Sequence, residues 1–341
     1  MLNGIPGSGY VEVLNEVGKG AKEVSIVRVG PRILEAAKAA KLPVTVEGVL
    51  DAEELLLKSL RFTVFQGLLQ ELADTKRHTI VQTHASFRWG KALRPAFDWH
   101  LVRQLDPDVF VVLVDSWQDT WAWMQHDAQW RNQLSLEELL FWREAEVLLT
   151  RLMAEELEKD FLLVARSEGS RTLQDLLQHP KATRIYLSHP MTEAKTKDHV
   201  ESLANNLRND YLVFDPSSLS DRPFTGAKDP IPTRYGDVSV GADPARQRFL
   251  DDIVIGQMAR IDYQFIDQTQ VTFVYYFPDS PASTGVQSEM IYAKGTNKKV
   301  HTLWMRQGNP PPFVRTYSHD RIFLSEKEII DFLRERYPTK H

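Results

Sequence analysis

The chain contains no cysteine. This absence excludes disulfides, thiolate metal sites and cysteine nucleophiles, so any chemistry must rest on oxygen and nitrogen groups. The sequence also lacks an apolar run near the roughly 20 residues that span a bilayer. Its amino-terminal segment, MLNGIPGSGY, lacks the charged start and apolar core of a signal peptide. We therefore expect a cytoplasmic protein that does not act on membranes.

The sequence also has no large excess of positive or of negative residues. The 41 lysines and arginines are scattered along the chain and nearly balance the 46 aspartates and glutamates, giving a net charge of -5. Polymeric nucleic acid needs a basic surface, so the nucleotide partner we expect is a small molecule. The hydrophobic share of 43% suits sizeable cores, and 341 residues exceed the roughly 250 at which single cores stop growing. Two domains are expected.

Short apolar runs alternate with longer amphipathic stretches, a pattern typical of βαβ units around parallel sheets. The strand candidates of the first half are β-branched runs that end near a polar turn, at 24–29, 79–82, 109–114 and 161–165. Leucines at helical spacing predict a helix over 136–158 with Ser135 as its N-cap, and a shorter helix follows at 172–177. His179-Pro180-Lys181 then breaks the pattern.

The second half repeats the alternation. Its predicted strands lie at 184–187, 211–214, 271–277 and 300–303, and its predicted helices lie at 195–208 and 245–268 and begin near Gly285 and Ser325. The long loop 215–245 between them is a candidate active-site cover. The sequence thus predicts two three-layer α/β domains with parallel sheets, over residues 1–179 and 180–341.

The segment 283–289, Ser-Thr-Gly-Val-Gln-Ser-Glu, follows a strand and a turn. Backbone N–H groups at the start of the helix near Gly285 should face the crevice at the end of the strand. A phosphate there would accept hydrogen bonds from these amides and from the hydroxyl of Ser283 or Thr284. Glu289 lies one turn further on, where a carboxylate can stabilise or trap the cation formed when an N-glycosidic bond breaks. A lone helix glutamate would otherwise be a solvated surface residue.

Three segments, 185–191, 260–267 and 283–293, resemble the nucleoside 2-deoxyribosyltransferase family and its nucleotide N-hydrolase relatives, over nearly all of residues 183–306. The resemblance implies a flavodoxin-like or Rossmann-like domain with Glu289 as the nucleophile. Asp262 matches the aspartate that faces the base, and it would supply the proton that the leaving base needs. The alternatives for Asp262 are an exposed helix carboxylate or a structural contact with Arg260.

The same resemblance indicates the substrate. Ser283 stands where members that act on free deoxynucleosides carry an acidic residue, and a hydroxyl can donate to a 5'-phosphate that an aspartate would repel. A nucleoside monophosphate is therefore expected. Further substrate-binding candidates are the residues that would line the sugar and base pocket or reach the phosphate: Tyr186, Met191, Ser188, His189 and Asp267. A buried strand tyrosine such as Tyr186 is equally often a core residue.

In the first half, Gly4, Gly7, Ser8 and Gly9 have the spacing of a phosphate-binding loop. Together with the segments 81–84 and 105–108 and the long helix from Ser135, the first 175 or so residues resemble archaeal-type adenylate kinases. Tyr10 and Val11 occupy the positions of the catalytic lysine and the magnesium-binding hydroxyl, which indicates a pseudokinase that senses nucleotide or builds an oligomer.

A kinase lid is usually rich in arginine, whereas residues 116–134 carry four tryptophans, Trp117, Trp121, Trp123 and Trp130. They suit an interface or a base-stacking surface, and they equally suit core packing.

Taken together, the sequence predicts an enzyme that cleaves the N-glycosidic bond of a (deoxy)nucleoside 5'-monophosphate by hydrolysis or base exchange, without metal or cofactor. The resemblance implies a homodimer or larger homo-oligomer, since related sites are often completed by a neighbouring subunit. Two alternatives stay open. One is a nucleotide-binding sensor without turnover, and the other is a bifunctional kinase and glycosidase that recruits a lysine from elsewhere in the chain.

Overall fold

The computed structural model describes residues 1–21, 23–46, 48–49, 51–73, 75–89, 92–191, 197–224, 229–241 and 243–341. By their internal contacts they form two compact units, Met1–Ser170 with Leu219–Gln257 and Arg171–Ser218 with Met258–His341. These units are not the two continuous segments 1–179 and 180–341, whose status as folding domains stays a prediction. Across the described residues, no helix has the length and apolar character to cross a membrane.

The first unit is built on a five-stranded parallel sheet in the order β2-β3-β1-β6-β7. Its strands are β1 (Leu2–Asn3), β2 (Ser25–Arg28), β3 (Thr79–Gln82), β6 (Val109–Val114) and β7 (Asp160–Ala165). A separate two-stranded antiparallel sheet is formed by β4 (Ser86–Trp89) and β5 (Ala92–Pro95). The short strand β1 lies in the middle of the sheet, so the segment 4–9 leaves the sheet at its centre.

Helices connect the strands of this unit: α1 (Tyr10–Gly20), α2 (Val29–Ala39), α3 (Glu54–Ala73), α4 (Trp99–Leu105), α5 (Trp117–His126) and α6 (Leu136–Glu156). The predicted N-cap of α6 is confirmed. Ser135 accepts the backbone N–H of Glu138, and the Glu138 side chain accepts the backbone N–H of Ser135. This reciprocal pair satisfies two amides that a helix start leaves without partners.

The long segment predicted as a loop at 215–245 contributes its described residues from 219 onward to the first unit. The carboxylate of Asp221 forms a buried ion pair with Arg143 on α6 and accepts the backbone N–H of Trp117 at 2.8 Å. Phe224 stacks on the Trp117 ring with centroids 4.3 Å apart. Residues 225–228 and 242 of the predicted loop lie outside the described residues.

Breaking the Arg143–Asp221 pair should have a large effect on stability. Asp221→Ala would leave the Arg143 guanidinium buried without its partner, and we expect the free energy of unfolding to fall by about 3–5 kcal/mol. Removing both charges with Arg143→Met and Asp221→Leu should cost less. Denaturant unfolding followed by tryptophan fluorescence measures both changes. Arg32→Met, which removes an exposed pair with Glu71, is the control and should cost less than about 1 kcal/mol.

The second unit holds another five-stranded parallel sheet, in the order β12-β11-β10-β8-β9. Its strands are β8 (Arg184–Ser188), β9 (Leu212–Phe214), β10 (Val271–Tyr276), β11 (Lys299–Trp304) and β12 (Ile322–Phe323). Helices α8 (Lys197–Asp210), α10 (Thr284–Gly295), α11 (Pro312–Tyr317) and α12 (Glu326–Arg336) connect or follow them. Two helices contain a unit boundary, α7 (Arg166–Gln178) and α9 (Pro244–Asp267).

The predicted α/β class with parallel sheets and helices on both sides is confirmed. All six residues of β10 are buried, as expected for a central parallel strand covered on both faces. Counted within the second unit, the strand order is 2-1-3-4-5, so the chain reverses its direction of winding between β8 and β10. In such sheets, ligands bind in the crevice beyond the carboxyl ends of the strands at this switch point.

Candidate active site

Glu289 lies at this switch point. It is on the second turn of α10, the helix that follows β10, and its Oε2 accepts a hydrogen bond of 2.5 Å from the hydroxyl of Ser188 at the end of β8. Burial raises the pKa of Glu289, while the Ser188 hydrogen bond and the nearby charge of His189 act in the opposite direction. The two strands that flank the switch point therefore bring together a carboxylate and a hydroxyl that are 101 residues apart in sequence.

Tyr186 points its hydroxyl into the same region. The side chain is fully buried in β8, and its hydroxyl has no hydrogen-bond partner of standard geometry within the described part of the chain. Burial raises the pKa of Tyr186 far above its usual value, and the charges of Glu289 and Asp262 add to that shift. The Tyr186 hydroxyl also acts as a hydrogen-bond donor that lowers the pKa of Glu289, so it lies beside that carboxylate.

Asp262 is the second carboxyl of the site. It lies on α9, and burial together with the charge of Glu289 raises its pKa to about 7, against the opposing charge of His189. Two carboxyls that share a partly buried site do not both ionise easily, because each charge disfavours the other. At neutral pH a substantial fraction of Asp262 is therefore protonated, which is the state of a proton donor.

His189 follows Ser188 and is buried. Its Nε2 lies 3.1 Å from Oδ1 of Asp215, and its Nδ1 lies 3.4 Å from the carbonyl oxygen of Pro190. Both ring nitrogens are thus engaged within the protein. Asp215 was not among the residues singled out from the sequence. The available signal was its position directly after β9, since an aspartate that ends a buried parallel strand faces the ligand-binding edge.

The start of α10 has the geometry of a capped helix. Ser283 is the N-cap, and its Oγ accepts the backbone N–H of Val286 at 3.2 Å. The serine hydroxyl keeps its proton for donation to another acceptor. Thr284 and Gly285 are exposed, and their N–H groups begin the first turn, where a helix supplies no acceptor of its own. Two amides and one hydroxyl are thus available at this end of the helix.

The remaining predicted substrate-binding residues lie elsewhere. Met191 is 52% exposed at the last described position before residue 197. Asp267, at the end of α9, accepts hydrogen bonds of 3.0 and 3.1 Å from the Tyr292 hydroxyl. That contact occupies the Asp267 carboxylate within the protein. The structure therefore groups Tyr186, Ser188 and Asp262 around Glu289 and places Asp267 against a different partner.

This group of side chains has the chemistry for nucleophilic substitution with proton transfer to a leaving group. A carboxylate fixed by one hydroxyl serves as a nucleophile, and a carboxyl that titrates near neutral pH serves first as an acid and then as a base. Carboxyls whose environments separate their protonation states are the usual acid and base of such sites.

The glycine-rich segment of the first unit is buried throughout residues 4–9. Gly9 has a φ of 78°, and a Cβ at this position would lie 2.0 Å from Nε of Arg166, so only glycine fits beneath that side chain. Trp123 and Thr120 pack in the same way against Gly7. Protein side chains thus cover the loop, and the predicted nucleotide contacts of Gly4, Gly7, Ser8 and Gly9 stay a prediction.

The tryptophans that follow this loop in sequence serve as core in the first unit. Trp117 and Trp130 are 0% and 5% exposed. The Trp117 indole donates to the carbonyl oxygen of Arg222 at 2.9 Å, and the rings of Trp130 and Trp142 lie 5.2 Å apart. Trp117 and Trp130 are therefore core residues, in line with the second of the two interpretations of the tryptophan cluster.

Comparison with solved structures shows a structural likeness to a known enzyme. A 2-deoxyribosyltransferase from the psychrotolerant bacterium Bacillus psychrosaccharolyticus matches 46% of this chain and 98% of its own length, with 17% sequence identity and a TM-score of 0.31. No family model matches the sequence, and no curated protein matches it. A likeness of this size carries no inference about activity.

Proposed function

We propose that the second unit cleaves the N-glycosidic bond of a nucleoside 5'-monophosphate, with Glu289 as the nucleophile and Asp262 as the proton donor. The observation that carries this proposal is the pair of coupled carboxyls at the switch point, one held by the Ser188 hydroxyl and the other with a pKa of about 7. Cleavage of a glycosidic bond needs one carboxylate and one carboxylic acid, and we assign these forms to Glu289 and Asp262.

In the first step, an oxygen of Glu289 forms a bond to the anomeric carbon while the bond from that carbon to the base nitrogen breaks. The bonding pair passes to the base, and Asp262 supplies the proton that makes the base a neutral leaving group. Since Ser188 holds Oε2, we assign the attack to Oε1. The product of this step is an ester between Glu289 and the sugar.

In the second step, water attacks the anomeric carbon and gives its proton to the Asp262 carboxylate. The ester bond breaks, and its electron pair returns to Glu289. The products are the free base and a sugar 5-phosphate. A second base that replaces water in this step would complete an exchange instead, and the same residues serve both outcomes.

The proposed phosphate site is the first turn of α10. The N–H groups of Thr284 and Gly285 and the hydroxyl of Ser283 together offer three donors to an anion. The positive end of the helix dipole adds to their attraction. Because Glu289 lies on the next turn of the same helix, a phosphate at the helix start holds the sugar close to the carboxylate.

The direct test is incubation of the full chain with a panel of nucleoside 5'-monophosphates, the matching nucleosides and their 2'-deoxy forms, followed by chromatography for free base. We expect release from at least one monophosphate. Parallel reactions with and without a second base separate exchange from hydrolysis. Binding of the whole panel without any release would refute the proposed chemistry and favour a sensor.

Substitution of Ser283 should change the preference for phosphate. Ser283→Asp keeps a good N-cap but places a negative charge at the proposed phosphate site, and we expect KM for the monophosphate to rise by about tenfold or more. Ser283→Asn is the matched control, because it caps the helix without charge. Equal KM values for the two variants, or better cleavage of nucleosides than of monophosphates by the native protein, would contradict this site.

A further inference from the structure

The buried pair formed by His189 and Asp215 is adjacent to the proposed active site but takes no part in the steps above. The side chains are 5% and 6% exposed, and Nε2 of the imidazole lies 3.1 Å from Oδ1 of the carboxylate. The same Oδ1 also accepts the backbone N–H of Ser217 at 2.8 Å. These contacts fix a histidine directly after Ser188, the residue that holds Glu289.

Each partner of the pair favours the charged form of the other. Burial alone lowers the pKa of His189, but the hydrogen bond and charge of Asp215 outweigh it, so the pKa is raised overall. For Asp215, burial acts to raise the pKa, and the hydrogen bond and charge of His189 outweigh it, so the pKa is lowered. An imidazolium and a carboxylate thus stabilise each other in a region where either charge alone would be costly.

Three carboxyls from neighbouring elements interact electrostatically with His189. Asp215 follows β9, Asp262 lies on α9 and Glu289 lies on α10. The charge of His189 lowers the pKa of both Glu289 and Asp262. Without it, three carboxyls would share one partly buried region, and among the described residues the positive charge that favours ionised Glu289 would be lost.

We propose that the His189–Asp215 pair is a positioning pair whose fixed imidazolium keeps the Glu289 carboxylate ionised, rather than a contact for the substrate phosphate. This inference rests on the proposed function for its role in catalysis. The charge state of Glu289 is a property of the protein whether or not it turns over a nucleotide. The effect of the pair on that charge and the proposed function can therefore be tested separately.

The kinetic test uses His189→Gln, which keeps a hydrogen-bond donor near the Nε2 position and removes the positive charge. The nucleophile must be ionised, so kcat/KM for base release should fall at low pH as Glu289 becomes protonated. This fall is the acidic limb of the pH profile. Loss of a nearby positive charge favours the neutral acid, and we expect this limb to move to higher pH by about one unit or more. His199→Gln, at an exposed histidine of α8, should leave the limb unchanged.

The double variant His189→Gln with Asp215→Asn removes both charges and keeps two groups able to form a hydrogen bond. Its acidic limb should lie between those of the native protein and His189→Gln, because Asp215 no longer adds an unpaired negative charge. This variant also carries the test if His189→Gln fails to fold. Lower activity in the variants with an unmoved acidic limb would reduce the pair to a structural contact and overturn the proposal.

A second readout does not depend on activity. Infrared difference spectra between each protein and its Glu289→Gln derivative follow the carboxyl stretch of Glu289 as the pH changes. We expect the titration to move to higher pH in the His189→Gln background, and equal titrations in the two backgrounds would overturn the proposal. A shifted titration in a protein that releases no base from any nucleotide would refute the proposed function and leave the charge pairing intact.

Discussion

Replacing Glu289 by glutamine is expected to abolish release of free base from every nucleotide that the native protein cleaves. Glutamine keeps the size of the side chain and can still accept the Ser188 hydrogen bond, so the fold should be unchanged. An amide oxygen does not form the sugar ester, and loss of a nucleophile costs at least about a thousandfold in kcat. Product formation followed by chromatography over long incubations measures the residual rate.

The matched control is Glu335→Gln, which makes the same change at an exposed position of α12 and should leave the rate unchanged. Mass spectrometry of the quenched native protein adds a positive test, since the ester should appear as a sugar phosphate attached to Glu289. Release by Glu289→Gln at a rate near that of the native protein would remove this residue from the mechanism.

Asp262→Asn should have the second largest effect, and it should change the pH profile as well as the rate. Loss of a general acid and base costs about 10²- to 10⁴-fold. Asp262 must be protonated to assist departure of the base, so in the native protein kcat/KM should fall as the pH rises above about 7. In the variant that basic limb should disappear, because the group that titrates there is gone.

The leaving group separates this role from a structural one. A nucleotide whose purine is methylated at N7 carries a positively charged base that departs without added protonation, so its cleavage should be much less impaired in Asp262→Asn. Equal losses for the methylated and unmethylated substrates would argue against proton donation by Asp262. Persistence of the basic limb near pH 7 in the variant would assign that limb to another group.

The secondary structure was largely predictable because most elements satisfy local rules. The predicted strands at 79–82 and 109–114 are β3 and β6, residue for residue. The helix predicted over 136–158 spans Leu136–Glu156 and begins at the predicted cap. These rules depend on apolar periodicity, turn residues and N-caps, which each involve only a few neighbouring positions. The sequence alone is therefore sufficient to recognise them.

The elements that were not predicted lack such signals. In the antiparallel pair of β4 and β5, the second strand is exposed, so its sequence shows no apolar run. Strand β12 has only two residues, Ile322–Phe323, and is defined by its pairing with β11. The segment from Leu219 onward is polar and rich in proline, as in a loop, but the buried pair of Asp221 with Arg143 makes it part of the first unit.

At the candidate site, the residue types were visible in the sequence but their grouping was not. Glu289, Asp262 and Ser188 were singled out, and their roles stay predictions. Asp215 was missed because its importance comes from a partner 26 residues away, His189, and from burial that a single strand end does not reveal.

The sequence by itself determined the class of the fold, most of the helices and strands, and the candidate side chains of the proposed site, because these depend on local periodicity and on residue chemistry. Only the tertiary structure decided which carboxyls share one buried region, which hydroxyl holds Glu289 and which charge faces it. Coulomb interactions and desolvation depend on distances through space, and the order of strands in the parallel sheet sets those distances for residues far apart in the chain.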